Sequence, residues 1–368
     1  MKDEVSMPIA KSAQEHATSI LRLAAAFLIV CSILTYLISL GLGPALFYYT
    51  SDGLKVATRG IRDLPLEIFG VFPFSVPIYT NMGNLFGVMW LIFVLCFVAA
   101  WCSRGGFLKN LRNILKEPIL SGKTNFLFAM PLIGTSLLYA SVLIQQFQAT
   151  QGVQTGNLTF PPQTSPYIIL INLAYAPINE ELAFRITSIG IPLAIFLLYL
   201  YRKDKKVAGV TNRLKFILIT MASPEHAKAM LGYKNVTERG YLGGISALEW
   251  VLILITSTAF GLAHYLSGGG WEIGKVSTAL LAGLVFGVMF VTYGAYAAIL
   301  LHWYFDYFFT IVSLAESTYG GFFHVFSNAV EISNLIGGQT VLVVLLIVWA
   351  LRAADYLSKK AIGLNEEA

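Results

Sequence analysis

Residues 166–201 read PYIILINLAYAPINEELAFRITSIGIPLAIFLLYLY, with three ionisable side chains, Glu180, Glu181 and Arg185, in their midst. A hydrocarbon core about 30 Å thick is crossed by about 20 mostly apolar helical residues. At about 1.5 Å per residue this stretch is roughly 54 Å long as one helix. It is long enough to span a bilayer and too long to stand upright in one. It either tilts and protrudes, or breaks near Gly190-Ile191-Pro192, where proline removes a helical hydrogen bond.

Seven other runs have the same apolar character: Leu23 to Tyr48, Asn84 to Trp101, Phe126 to Gln145, Leu248 to Leu266, Val276 to Thr292, Ala297 to Leu314 and Gly338 to Ala354. The 368-residue chain is 56% hydrophobic and 12% charged, with a mean hydropathy of +0.69. A soluble fold of that size would need about twice the charge to cover its surface. Disorder, a coiled coil and a disulfide-stapled module fail on the same composition. The fold class expected is all-α, a polytopic membrane bundle of about eight transmembrane helices. The first run reads as a retained span, since more than 20 residues precede it, Asp3, Glu4 and Glu15 among them, and no small-residue cleavage pattern follows. Cys31, Cys96 and Cys102 match neither a zinc knuckle nor a redox pair and read as small packing residues.

Lysine and arginine sort by loop. With the N-terminus inside, 20 fall in cytoplasmic segments (before the first span, in 102–125, in 202–247 and after 351), and four, Lys55, Arg59, Arg62 and Lys275, fall outside. This positive-inside bias predicts a multi-pass cell-membrane protein with both termini cytoplasmic. No nucleic-acid partner is expected; the lipid bilayer is the first partner. The organisation expected is an N-terminal region of three spans, 1–165; a core, 166–315, interrupted by a cytoplasmic insertion, 202–247; and an outer loop, last span and tail, 316–368. Within the insertion, Ser223-Pro224-Glu225 reads as a helix start and Gly232 as its stop, on a solvated element at the membrane surface. Gly268-Gly269-Gly270 reads as a tight loop, and His16, His226 and His324 as solvent-facing loop residues.

Ionisable groups inside a bilayer cost about 2.5–3.5 kcal/mol each on insertion scales and usually mark function. Six lie inside the apolar runs: Glu180, Glu181, Arg185, His264, His302 and Asp306. Glu181 and Arg185 are i,i+4 on one helix and can pair, which leaves Glu180, one step of about 100° round the helix, free for chemistry. His302 and Asp306 are also i,i+4, and so are Phe260 and His264. Glu249 favours the dipole at a cytoplasmic helix start and needs no further role.

Glu180-Glu181-Leu182-Ala183-Phe184-Arg185 fits EExxxR, Phe260-Gly261-Leu262-Ala263-His264 fits FxxxH, and His302-Trp303-Tyr304-Phe305-Asp306 fits HxxxN/D. In this order on successive membrane helices, the three motifs resemble the CAAX protease and bacteriocin-processing family of intramembrane endopeptidases. The resemblance covers residues 166–315. It implies hydrolysis of a membrane-associated or lipidated, CAAX-like protein or peptide. Glu180 and His264 would activate water without a metal or other cofactor, Glu181 and Arg185 would hold the helix and orient Glu180, and His302 with position 306 would face the oxyanion. Peptide hydrolysis needs each of these: an activated water, a stabilised oxyanion and a proton for the leaving amine. An ionised Asp306 would repel an oxyanion, so it either stays protonated or orients His302. A zinc site built from Glu180, His264, His302 and Asp306 is chemically feasible. Two other functions fit the buried charges, a proton- or ion-coupled transporter and a catalytically silent relative that binds a membrane partner.

Overall fold

An apolar helix in lipid satisfies its own backbone, so the fold is decided by how helix ends are closed and which faces meet. The computed structural model describes residues 8–70, 72–113 and 123–361. Among the described residues, eight helices are long and apolar enough to cross a membrane, numbered as spans in chain order: Arg22–Tyr49, Met82–Gly105, Phe126–Thr150, Pro166–Leu200, Ala247–Leu266, Lys275–Tyr293, Ala295–Tyr319 and Phe322–Val348. The expected all-α polytopic bundle is what forms. Lys2 and Lys116, two of the lysines in the loop-charge pattern, lie outside the described residues.

The seventh span is the axis of the bundle. Trp303, Tyr304, Tyr307 and Phe308 are fully buried along it. Tyr36 of the first span meets Trp303, Tyr304 and Phe308 edge-on at 6.0, 5.7 and 5.0 Å between ring centroids. Phe97 of the second span meets Trp303 at 5.3 Å, and the Tyr304 hydroxyl donates to Asn334 of the eighth span at 2.6 Å. Edge-to-face rings of this kind add about 0.5–1.5 kcal/mol per pair beyond area burial. They fix the helix that carries His302 and Asp306.

Polar caps set the remaining ends. Buried Asn125 accepts from the Leu127 amide at 3.0 Å and donates to the carbonyls of Ala100 and Ser103, each at 2.7 Å, so one side chain joins the end of the second span to the start of the third. Ser246 and Glu249 cap the fifth span reciprocally. The fourth span runs unbroken through Gly190-Ile191-Pro192, which settles that alternative in favour of a long helix. Its irregularity lies upstream, where Leu182–Gly190 is π-helical. Gly190 serves close packing instead, because a Cβ there would come within 2.9 Å of Met221 Cα.

Four expectations need correction. The outer loop expected at 316–337 is largely helix: the seventh span ends at Tyr319 and a helix over Phe322–Ala361 follows at once, so the last crossing is Phe322–Val348 instead of 338–354. Asparagine, glutamate and histidine in that stretch dilute its hydropathy without breaking the helix. His16, His226 and His324 all lie on helices, Pro8–Tyr49, Pro224–Leu231 and Phe322–Ala361, and His324 pairs with Glu316 at 2.6 Å.

The insertion has the helix expected from Ser223-Pro224-Glu225, closed by Gly232 at φ 69°, but it is no solvated appendage. Lys228 is fully buried, 2.8 Å from Glu249 and 3.5 Å from Glu225, and donates to the Gly244 carbonyl at 3.1 Å. Glu225 also accepts the Val236 and Thr237 amides. Glu249 therefore has a role beyond the dipole: it anchors the insertion to the base of the fifth span.

The segment between the first two spans holds a β-hairpin, β1 Gly60–Ile68 and β2 Phe72–Asn81. Its pairing sets Glu67 opposite Pro73, Pro65 opposite Ser75 and Asp63 opposite Pro77. The Pro65 carbonyl and the Glu67 and Phe69 amides all bond outward to the fourth span. These pairs therefore point away from the ladder, and all three prolines sit where no ladder N–H is needed. Ile68 opposite Phe72 closes a turn in which Phe69 and Gly70 have φ of 52° and 66°.

Lys228→Ala would leave two buried carboxylates without their cation. The expected cost is about 3–5 kcal/mol, read as a lowered Tm of the detergent-solubilised protein, while Lys55→Ala, an exposed pair with Asp52, leaves Tm unchanged.

Candidate active site

The three motif helices meet around one carboxylate. Glu181 Oε1 accepts from Arg185 Nη1 at 3.0 Å and from His302 Nδ1 at 2.8 Å. Glu181 and Arg185 have no exposed side-chain surface. Arg185 also donates to the Gly283 carbonyl of the sixth span at 3.3 Å, and its guanidinium lies over Phe260 at 4.4 Å and near Phe286 at 5.3 Å. The same two rings embrace His302, Phe286 stacked at 5.0 Å and Phe260 edge-on at 5.9 Å. Cation, carboxylate and imidazole are thus enclosed by aromatic faces, the arrangement in which buried charge is best offset.

Gly283 permits this approach. A Cβ there would meet Ser257 Cα at 3.0 Å and the Phe260 ring at 3.3 Å, so only glycine lets the fifth and sixth spans close over Arg185.

With Nδ1 tied to Glu181, His302 turns Nε2 towards Asp306 Oδ2 at 3.2 Å and Glu180 Oε2 at 3.7 Å. His302 Nε2 thus stands where the two carboxyls converge. Glu180 and Asp306 keep 27% and 26% of their side-chain surface, against 5% for His302. The two carboxyls are therefore the accessible members of a cluster whose other members are walled in. Both π-helical segments, Leu182–Gly190 and Tyr304–Phe308, fall on these motifs and carry Arg185 and Asp306. Extra residues per turn of this kind concentrate at functional sites.

His264 joins differently. Its Nδ1 donates to the Phe260 carbonyl at 2.8 Å, within its own helix, which leaves the Nε2 lone pair uncommitted. No hydrogen bond or ion pair ties it to Glu180. The link runs through Phe260, whose ring lies 4.7 Å from His264 and 5.9 Å from His302. Among the described residues, no three of His, Cys, Asp and Glu are arranged to hold a metal ion.

All six sequence-selected residues lie within residues 162–308, which match the family model described as Type II CAAX prenyl endopeptidase Rce1-like. This segment belongs to the CAAX protease family. The chain is accordingly a multi-pass membrane protein with the general activity of a CAAX-type intramembrane endopeptidase. No curated protein and no solved structure matches it.

Sequence reasoning missed the groups that flank the CAAX-protease motifs. Asn179, next to Glu180, accepts the Glu67 amide at 3.0 Å, and Thr187 accepts the Phe69 amide at 2.9 Å. The Tyr175 hydroxyl donates to the Pro65 carbonyl. Phe184 packs between the hairpin tip and Phe260, edge-on to the latter at 5.2 Å, and a Cβ on Gly70 would strike its ring at 2.7 Å. The signal available was three prolines at even spacing, Pro65, Pro73 and Pro77, around Phe69-Gly70.

Arg185→Lys keeps the charge but loses the planar group that spans Glu181, the Gly283 carbonyl and the Phe260 face. It should destabilise the protein by about 2–4 kcal/mol and reduce peptide cleavage, measured by thermal unfolding and by product formation on one preparation.

Proposed function

We propose that the protein hydrolyses a peptide bond of a membrane-associated or lipidated, CAAX-like protein or peptide, using a water activated by Glu180 and His264. The observation that carries this reading is the division of labour between adjacent glutamates. Glu181 is fully buried and accepts from both Arg185 and His302, whereas Glu180 keeps 27% of its side-chain surface: its Oε2 is buried towards His302 Nε2 at 3.7 Å, which leaves Oε1 as the uncommitted oxygen. A carboxylate with a free oxygen at the rim of a low-dielectric pocket is placed to take a proton from water and return it to the departing amine.

His264 complements it. Because its Nδ1 hydrogen is held by the Phe260 carbonyl, Nε2 is a fixed acceptor for the second hydrogen of that water. His302 supplies the positive edge of the site. Its contact with Asp306, 3.2 Å, supports the orienting role for Asp306 over direct contact with the oxyanion. Water activation in this scheme is metal-free, with Glu180 and His264 acting on the water directly.

Three measurements test it, using a fluorescent prenylated peptide in reconstituted vesicles. Glu180→Gln and His264→Ala each abolish cleavage with Tm preserved; cleavage at the wild-type rate in either variant overturns the assignment. Asp306→Asn, which keeps a polar contact to His302, retains cleavage to within about tenfold, whereas Asp306→Ala falls by about 10²-fold. Prolonged incubation with a strong zinc chelator leaves the rate unchanged.

A further inference from the structure

The β1–β2 hairpin is out of place for a membrane protein. Its bonds to Asn179 and Thr187 set it against the central third of the 35-residue fourth span, so the strands enter from the helix ends at Thr58 and Met82 and reach the depth of Glu180. Non-helical backbone at that depth persists only where it is buried in protein or faces water, because each unpaired N–H or C=O in hydrocarbon costs several kcal/mol.

One edge of the hairpin is covered, since β1 is tied along the fourth span. The other edge is not. On β2 the outward positions are Pro73, Ser75 and Pro77, whose carbonyls, with the Ser75 amide, have no partner among the described residues, and all three residues are exposed. The two prolines also remove the donors that a further strand would need, so strand addition does not cover this edge. A second observation points the same way. Glu67 stands on β1 beside Asn179, and its carboxylate has no hydrogen-bond or ion-pair partner among the described residues. A carboxylate without a cation at mid-membrane depth faces water.

We propose that the hairpin is one wall of a water-filled vestibule leading from the membrane face at Thr58 and Met82 to Glu180, and that its free β2 edge and Glu67 keep this vestibule wet. The vestibule supplies the water that hydrolysis consumes, and in that respect it rests on the proteolytic reading above. The wall also presses inward: through Gly70, Phe184 and Phe260 it abuts the rings of both His264 and His302.

The test is accessibility, which does not depend on turnover. In a chain whose three native cysteines are replaced by alanine, Ser75→Cys and Leu95→Cys are compared in sealed vesicles with a charged, membrane-impermeant methanethiosulfonate. Leu95 is 58% exposed on the second span, and both positions lie about 20 Å from Met82 along their own elements. Ser75→Cys should react at least about tenfold faster than Leu95→Cys; equal lack of reaction overturns the vestibule. Hydrogen exchange on the unmodified chain gives an independent reading. The amides of residues 74–79 with no ladder bond should exchange rapidly, and protection as deep as that of the second span overturns the proposal. Labelling at Ser75 together with cleavage by Glu180→Gln would remove the proteolytic assignment and leave the vestibule standing.

Discussion

One buried oxygen, Oε1 of Glu181, organises the centre of this molecule. It takes hydrogen bonds from a guanidinium on its own helix, fully buried, and from an imidazole on another that keeps only 5% of its side-chain surface. In a medium that does not solvate charge, a carboxylate so placed is tolerated only if its partners are fixed. That requirement propagates outward. Phe260 and Phe286 must face the cation, Gly283 must stay small so that they can, and the seventh span must hold His302 at a set height. The aromatic lattice around Trp303 and Tyr304 performs that last task.

The consequence for chemistry is an asymmetry between neighbours in sequence. Because Glu181 is consumed by structure, Glu180 is left with a free oxygen at the rim. The two π-helical segments serve the same end, shifting register just where consecutive residues must project in unlike directions. The site is thus a small ionic core with reactive groups at its margin, and the surrounding helices are braced against it by single polar side chains such as Asn125 and Lys228.

Much of this was legible in the sequence. Charge that is scarce elsewhere stands out in an apolar run, and spacing at i,i+4 placed Glu181 with Arg185 and His302 with Asp306, as found. The long fourth helix was anticipated; its distortion was not, since a π turn leaves no distinctive residue type. The eighth span was misplaced because Asn328, Glu331 and Asn334 lower local hydropathy, although Asn334 is used inward, against Tyr304. The hairpin escaped for a different reason. Its prolines argue against strands unless their phase relative to the ladder is known, and that phase is set by contacts with a helix more than a hundred residues later. Lys228 looked like one more cytoplasmic lysine because Glu225, at i,i+3 on its own helix, offered an ordinary surface pair, while Glu249, the carboxylate that anchors it, stands on a different helix.

The dependence of the hairpin on the fourth span also has a temporal side. Chains emerge from the ribosome N-terminus first, and a lone two-stranded hairpin is at best marginally stable in water. Residues 60–81 are made before Pro166–Leu200, whose Tyr175, Asn179 and Thr187 are their outward partners. During biogenesis the first three spans are therefore in place while the strands between them are still unanchored. The catalytic helix, on arrival, orders a segment synthesised long before it, so the wall closes on Glu180 before the fifth and seventh spans bring His264 and His302 to complete the site.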